Sequence, residues 1–347
     1  MAPSGPPLRQ LGKNGPQVPA LGFGLMGLAG AYGAKPSEEE QFKVLDRALE
    51  LGNTFWDTAD IYGFNDEMLN AWFKRTGKRD QIFLATKFGI LMERGTTDFK
   101  GLNSSGAYCK KACEASLERM GIKTIDLYYA HRLNPDTPIE ETMRAMVELK
   151  AEGKIRYIGI CGASSNALRR ACKIAHVDAV QVEYSPFVRD IETEAGTDLL
   201  KTCRELGIAV VAYAPLGRGL LTGSHKTNAS LEEEDVRKKY MPWFRPENIE
   251  SNAKVVEQFK CFADKKNCTT AQLAIAWVVK QGKDIIPIPG TRSIKYLEQN
   301  WHSLDVHLSD EEEAEIRAFL ENADIQGSNE TDAGKRLSFV DTKEESA

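Results

Sequence analysis

Phe55-Trp56-Asp57-Thr58-Ala59-Asp60-Ile61-Tyr62-Gly63 is the stretch on which the reading of the fold turns. Asn53-Thr54-Phe55-Trp56 follows Gly52 with aromatic and β-branched residues and no helical period, which reads as the end of a buried strand. The run turns polar at Asp57 and breaks at Gly63, so a carboxylate closes a strand and a phenol follows on the loop. A phenol there serves chemistry only if something lowers its pKa from about 10. Lys87, at the end of the next apolar run, is the cation within reach in the chain.

Working outward, the same alternation repeats. An Asn14-Gly15 hairpin joins Leu8–Leu11 to Gln17–Ala20 ahead of a first short strand, Leu21–Leu25. The spacing predicts a helix over Ser37–Leu51, with Ser37 as N-cap and Glu40 completing a capping box. After the strand ending at Asp57, helices are predicted at 65–74, 105–120, 138–151, 164–175, 192–206, 270–280 and 293–300. Strands are predicted between them at 81–87, 124–131, 155–161, 179–183, 208–213 and 284–288. A charged helix over 309–320 precedes a polar tail at 327–347, where Leu337-Ser-Phe-Val340 is placed to fold back over the mouth. Eight short apolar strands, each followed by a helix, form a parallel sheet that closes into a (β/α)8 TIM barrel. No linker divides the chain, so 1–347 is expected to be one domain with its core over about 8–320. The stretch 217–252 is too long for a plain connection and is expected to be a functional loop with short helices.

The composition suits such a fold. Of 347 residues 42% are hydrophobic and 27% charged, enough apolar side chain for a full core. A net charge of −5 argues against a nucleic-acid or anionic-membrane surface. Met1-Ala-Pro-Ser-Gly-Pro-Pro lacks the pattern of a secretory leader, and no apolar run reaches membrane-spanning length. The seven cysteines form no Cys-x-x-Cys pair and read as reduced, mostly buried thiols of a cytoplasmic protein; no metal site is expected.

Barrels of this kind build their sites at the C-terminal ends of the strands. Asp57, Tyr62, Lys87 and His131 come from three successive strand ends and should converge. Singly, each has a plainer reading. Asp57 could cap a helix, Lys87 could reach solvent, Tyr62 could pack its ring and His131 could be a hydrogen-bonded rim residue. Four mutually useful polar groups at three adjacent strand ends are harder to obtain by chance.

At these residues the chain resembles the aldo-keto reductases, from about Leu8 to Leu320. The likeness is carried by Leu21-Gly-Phe-Gly, Asp57-Thr-Ala-Asp-Ile-Tyr62-Gly, Thr86-Lys87-Phe-Gly, Asp126-Leu-Tyr-Tyr-Ala-His131-Arg and Gly153-Lys-Ile-Arg-Tyr-Ile-Gly159. Gln181-Val-Glu-Tyr-Ser185, Ala214-Pro-Leu-Gly-Arg-Gly219 and Ile288-Pro-Gly-Thr-Arg-Ser293 with Asn300 complete it. The Gly-Arg-Gly-Leu-Leu-Thr-Gly run is most similar to the branch containing pyridoxal and perakine reductases. The resemblance implies NADPH-dependent reduction of an aldehyde or ketone. It assigns Tyr62 as proton donor, Lys87 and Asp57 as its activators, and His131 as the group orienting the carbonyl.

The resemblance also assigns a cofactor groove. Gln181 would hold the nicotinamide carboxamide and Tyr213 would stack on its ring. Leu216, Gly217, Arg218 and Gly219 would lie along the pyrophosphate. Gly290, Thr291, Arg292, Tyr296, Gln299 and Asn300 would grip the 2′-phosphate, with Gly24, Met26, Asp57, Cys161 and Pro215 around them. Arg292 near a helix N-terminus suits a dianion, which favours NADPH over NADH. One departure stands out. Where the family places Ser followed by Asn or Glu to hold the carboxamide, this chain has Cys161-Gly162, so more of that anchoring falls on Gln181. Met26, Tyr32, Phe88, Arg132, Tyr184, Trp243, Phe244 and Phe339 are candidates to line a substrate mouth, with Trp243-Phe244 as a lid.

Two other functions fit the sequence less well. A subunit of the same fold could hold the nucleotide with little turnover. A metal-dependent barrel hydrolase would use Asp57, Asp60 and His131, but the chain lacks the His-x-His or Glu/His ligand cluster expected of one.

Overall fold

The barrel strands of this chain are buried on both faces save near the start of β9 (Ile155–Cys161), where Arg156 is exposed, and the side chains that alternate between those faces explain the architecture. A computed structural model describes residues 6–96, 98–233 and 235–345. The stretch read above for a leader falls partly outside them. β1 (Leu8–Gln10) and β2 (Gln17–Pro19) form the antiparallel hairpin at the base, with Asn14 at φ +65° in its turn. The barrel strands are β3 (Phe23–Gly24), β4 (Phe55–Asp57), β5 (Phe83–Phe88), β8 (Ile125–Ala130), β9 (Ile155–Cys161), β10 (Ala179–Glu183), β11 (Ala209–Tyr213) and β12 (Ile285–Pro287). Between β5 and β8 lies a small antiparallel ladder, β6 (Ile90–Met92) and β7 (Phe99–Leu102), absent from the strands expected above.

The eight strands are parallel and ordered β12-β11-β10-β9-β8-β5-β4-β3. The two edges meet through a parallel bridge from Gly24 to Gly290 and through Gly22 N–H donating to Pro287 O at 2.9 Å. The sheet is therefore a closed (β/α)8 barrel. Both seam glycines are required by close approach: a Cβ on Gly24 would lie 2.8 Å from Ile288 O, and one on Gly290 would lie 2.6 Å from Gly24 O.

The helices are α1 (Glu38–Glu50), α2 (Asn65–Thr76), α3 (Gly106–Met120), α4 (Ile139–Ala151), α5 (Ser165–Ile174), α6 (Leu199–Leu206), α7 (Val236–Tyr240), α8 (Pro246–Lys265), α9 (Thr270–Lys280), α10 (Ile294–Trp301), α11 (Asp310–Glu321) and α12 (Asp332–Lys335). Capping boxes start α1 at Ser37/Glu40, α9 at Thr269/Gln272 and α11 at Ser309/Glu312. The predicted helix over 192–206 starts later, because Thr197 and Asp198 take φ +58° and +51°; short 3-10 turns precede α6. The long insertion is shorter than expected. It is made of 3-10 turns and α7 and gives way to the 20-residue α8, started by Pro246 at its first turn. Among the described residues no helix is long and apolar enough to cross a membrane.

Alternation along the strands separates two apolar layers. Phe55, Ala85, Leu127, Tyr129, Ala179, Val211 and Ile286 fill the barrel. Trp56, Leu84, Tyr128, Ile158, Val180 and Val210 face the helices. Counting by two from the interior set reaches Asp57, Lys87, His131, Gln181, Glu183 and Tyr213, so one parity places polar groups at the mouth above an apolar plug.

Candidate active site

Lys87 is fully buried and Asp57 is 3% exposed. The Lys87 ammonium donates to Asp57 Oδ1 and, at 2.7 Å, to the carbonyl of Thr58. The other carboxylate oxygen accepts from Gln181 Nε2 at 2.7 Å. Burial opposes the charge on Lys87, but Asp57 and then Tyr62 outweigh it and hold the amine above the ordinary lysine range. Burial likewise pushes the Asp57 carboxyl up, against the pull of Lys87 and Gln181. The pair is thus a desolvated ion pair whose remaining valences are met by hydrogen bonds.

Tyr62 comes from the loop between β4 and α2, and its carbonyl accepts from Asn65 N–H at 3.1 Å at the start of that helix. Lys87 Nζ lies 5.1 Å from the centre of the Tyr62 ring. His131, one residue past β8, stands edge-on to the same ring at 6.0 Å and 82°. Burial, then Lys87 and Arg132, hold the imidazole well below its usual value, so it is neutral at pH 7. His131 Nδ1 is buried with no hydrogen-bond partner among the described residues. Tyr62 departs from the expectation drawn from its sequence. Burial raises the phenol and exceeds the downward pull of Lys87. The ring is accordingly a protonated donor at neutral pH, and the ammonium limits the rise.

The expected cofactor residues come from or follow β3, β4, β9, β10, β11 and β12, neighbours around the barrel. Ala214, Gly217, Arg218 and Gly219 take φ of +50°, +55°, +55° and +95°, so the backbone after β11 is turned left-handed. Gly219 allows Arg237 to approach: a Cβ there would sit 2.6 Å from its guanidinium, which donates to Arg218 O at 2.8 Å. Arg218 itself is turned inward, donating to Glu183 at 2.7 Å and Glu330 at 3.0 Å. Its charge is thus spent on two carboxylates instead of being free for a pyrophosphate. Arg292 donates to Ala34 O and, at 3.0 Å, to Glu232, so a carboxylate from the insertion rests on the expected phosphate ligand. Pro215 and Asn300 are buried, Met26, Leu216, Thr291 and Gln299 half-buried, and Tyr296 exposed. Cys161 faces the barrel interior, where burial pushes its thiol up to about 12, so it is a neutral SH.

Several substrate candidates lie elsewhere. Phe88 is on the outward parity of β5, fully buried and stacked on Tyr128 at 5.0 Å, between sheet and helices. Tyr184 also points outward, onto Trp277 at 5.7 Å. Trp243 and Phe244 are the buried centre of an apolar cluster with Val188, Leu220, Leu231, Ile249 and Val256, which anchors the insertion and does not form an open lid. Tyr32 keeps to the mouth with the Arg237 guanidinium 4.7 Å above its ring. Phe339, at φ +55°, belongs to the returning tail, where Val340 pairs with Ala163 in a parallel bridge. Glu183, Glu232 and Glu330 escaped the sequence reading. Glu183 shares the parity of Gln181 and was within reach of that argument; the other two come from irregular segments with no local cue. A groove of about 670 Å³ between α8 and α11, lined by Lys254, Val255, Phe319 and Asn322, lies on the outer wall away from these groups.

The comparisons with known proteins point one way. The model of the Aldo/keto reductase family matches residues 20–321. Aldo-keto reductase str7 of Strobilurus tenacellus is 46% identical over 338 residues, 95% of this chain and 97% of that protein. Aldo-keto reductase yakc [NADP(+)] of Schizosaccharomyces pombe is 46% identical over 339 residues, 97% and 98% of the two. Among solved structures, the glycerol dehydrogenase AKR11B4 from Gluconobacter oxydans superposes with a TM-score of 0.80 at 26% identity, covering 92% of this chain and 97% of that one. Barrel, strand-end site and relatives agree: the chain belongs to the aldo/keto reductase family of oxidoreductases.

Proposed function

We propose that this protein reduces an aldehyde or ketone to the alcohol with NADPH, using Tyr62 as proton donor. The observation that carries the reading is the buried Lys87 ammonium, tied to Asp57 and 5.1 Å from the Tyr62 ring, at the mouth of the barrel. Bound NADPH would supply a hydride to the carbonyl carbon. Tyr62 gives its phenolic proton to the carbonyl oxygen. Lys87 then stabilises the phenolate, an electrostatic task suited to a desolvated fixed cation. Asp57, itself held by Gln181, and the Thr58 carbonyl hold the ammonium in place, and the neutral imidazole of His131 offers a second donor to the same oxygen.

The residues present fit the cofactor. A left-handed glycine run lines one side, and Arg292 already carries an anionic partner where a 2′-phosphate would bind. Fluorescence quenching titrations with NADPH and NADH, followed by an aldehyde and ketone panel, test the reading. Tighter binding of NADPH and its oxidation by aromatic aldehydes are expected; tight binding with no turnover of any carbonyl would contradict it.

A further inference from the structure

We propose that Arg132 anchors the nicotinamide carboxamide, its guanidinium donating to the carboxamide oxygen in place of the side chains absent at Cys161-Gly162. The inference rests on the cofactor reading above. Gly162 follows β9 with φ +64°, and a Cβ built on it would lie 3.2 Å from Arg132 Nη1 and 3.5 Å from Arg132 Cδ. The guanidinium, together with the Leu337 carbonyl 3.1 Å from that Cβ, therefore stands in the space that a side chain at 162 would enter. It is poorly satisfied there. Nη1 reaches His131 O at 3.3 Å and Nη2 reaches Tyr213 Oη at 3.4 Å, both long for such donors. Arg132 makes no ion pair among the described residues, since Glu330 is held by Arg218 at 3.0 Å. Five N–H donors with two weak partners leave capacity for a strong acceptor.

Gln181 supplies the complement. One N–H of its Nε2 goes to Asp57 at 2.7 Å, and its Oε1 accepts no side-chain hydrogen bond among the described residues, which leaves an acceptor for a ligand. A carboxamide has one donor end and one acceptor end. Its NH2 suits Gln181 Oε1, and its oxygen then needs a donor from the β9 side. The Cys161 thiol is a weak donor and Gly162 has only backbone. Arg132 stands on that side, in contact with Tyr213, and fixes which way the amide faces.

The test uses three dinucleotides that differ only at the carboxamide: NADP+, thio-NADP+ (sulfur for the oxygen) and 3-acetylpyridine-NADP+ (methyl for the NH2). Wild type is expected to prefer NADP+ over both in fluorescence titrations. Arg132→Met should weaken NADP+ roughly tenfold or more, erase the preference over thio-NADP+ and keep the preference over the acetylpyridine form. Gly162→Asn in the Arg132→Met background should recover part of the loss, since Asn tolerates the left-handed backbone and returns an amide to the site. Arg132→Lys, which keeps charge but shortens the donor, carries the same comparison if Arg132→Met melts far below wild type. An unchanged thio-NADP+ preference in the variants would overturn the proposal. So would an effect confined to aldehydes bearing a carboxylate, which would assign Arg132 to the substrate. Failure of wild type to bind any of the three would instead remove the cofactor reading itself.

Discussion

Replacing Lys87 by Met leaves the Asp57 carboxylate, 3% exposed, without its cation. Breaking a buried pair from one side costs about 3–5 kcal/mol, because the stranded charge stays desolvated. For a chain of 347 residues the unfolding entropy at about 2.1 cal/mol/K per residue converts that loss to a fall in Tm of roughly 4–7 °C. The loss has a pH signature. With the amine gone, burial is opposed on Asp57 only by the Gln181 hydrogen bond, and the folded carboxyl lies above the ordinary carboxylate value of 3.8. The folded variant then binds the proton more tightly than the unfolded chain, so its stability declines as pH rises from about 4 through the raised value. Thermal melts followed by circular dichroism from pH 4.5 to 8 should show a deficit that widens with pH. Asp57→Asn added to Lys87→Met should recover most of it, as the stranded charge is removed. A deficit independent of pH, or a double variant as unstable as the single one at pH 8, would refute the reasoning.

Three further outcomes follow from the same structure. Arg292→Ala should weaken NADPH by about 1.5–3 kcal/mol, the range for a hydrogen bond to a charged group, and leave NADH nearly unchanged in parallel quenching titrations. Glu183 is 5% exposed, and burial pushes its carboxyl up to about 7 from 4.5 despite Arg218. Its folded pKa being the higher, wild type should lose stability relative to Glu183→Gln as pH rises from about 4.5 to about 7, by at most about 3 kcal/mol, and the difference should be flat above, as urea unfolding would show. Trp243→Ala empties the centre of the cluster that anchors the insertion and should cost about 3–5 kcal/mol in the same assay.

The barrel was legible because its strands are short, largely buried apolar runs that alternate with helical patterns. β9 and β10 fall at the predicted residues, and the Ser37/Glu40 box starts α1 as its spacing requires. Parity made the mouth legible too: residues two apart on a strand share a face, which carries Phe55 to Asp57 and Ala85 to Lys87. The same rule, applied to β5 and β10, would have removed Phe88 and Tyr184 from the mouth. Tertiary choices were not legible. Trp243-Phe244 reads as a lid or as an anchor until Val188 and Ile249 are seen around it. Arg218 reads as a phosphate ligand until Glu183 and Glu330 take its charge. The balance at Tyr62 between burial and Lys87 depends on desolvation, which no local pattern records.

The most direct measurement of the central claim compares wild type and Tyr62→Phe at 340 nm, with NADPH and a simple aromatic aldehyde. Quenching titrations on the same samples verify cofactor binding. Loss of the proton donor should reduce turnover by roughly 100- to 10,000-fold with NADPH affinity unchanged. A variant that retains near-wild-type turnover would show that the phenol beside Lys87 is not the acid, and the account would fail.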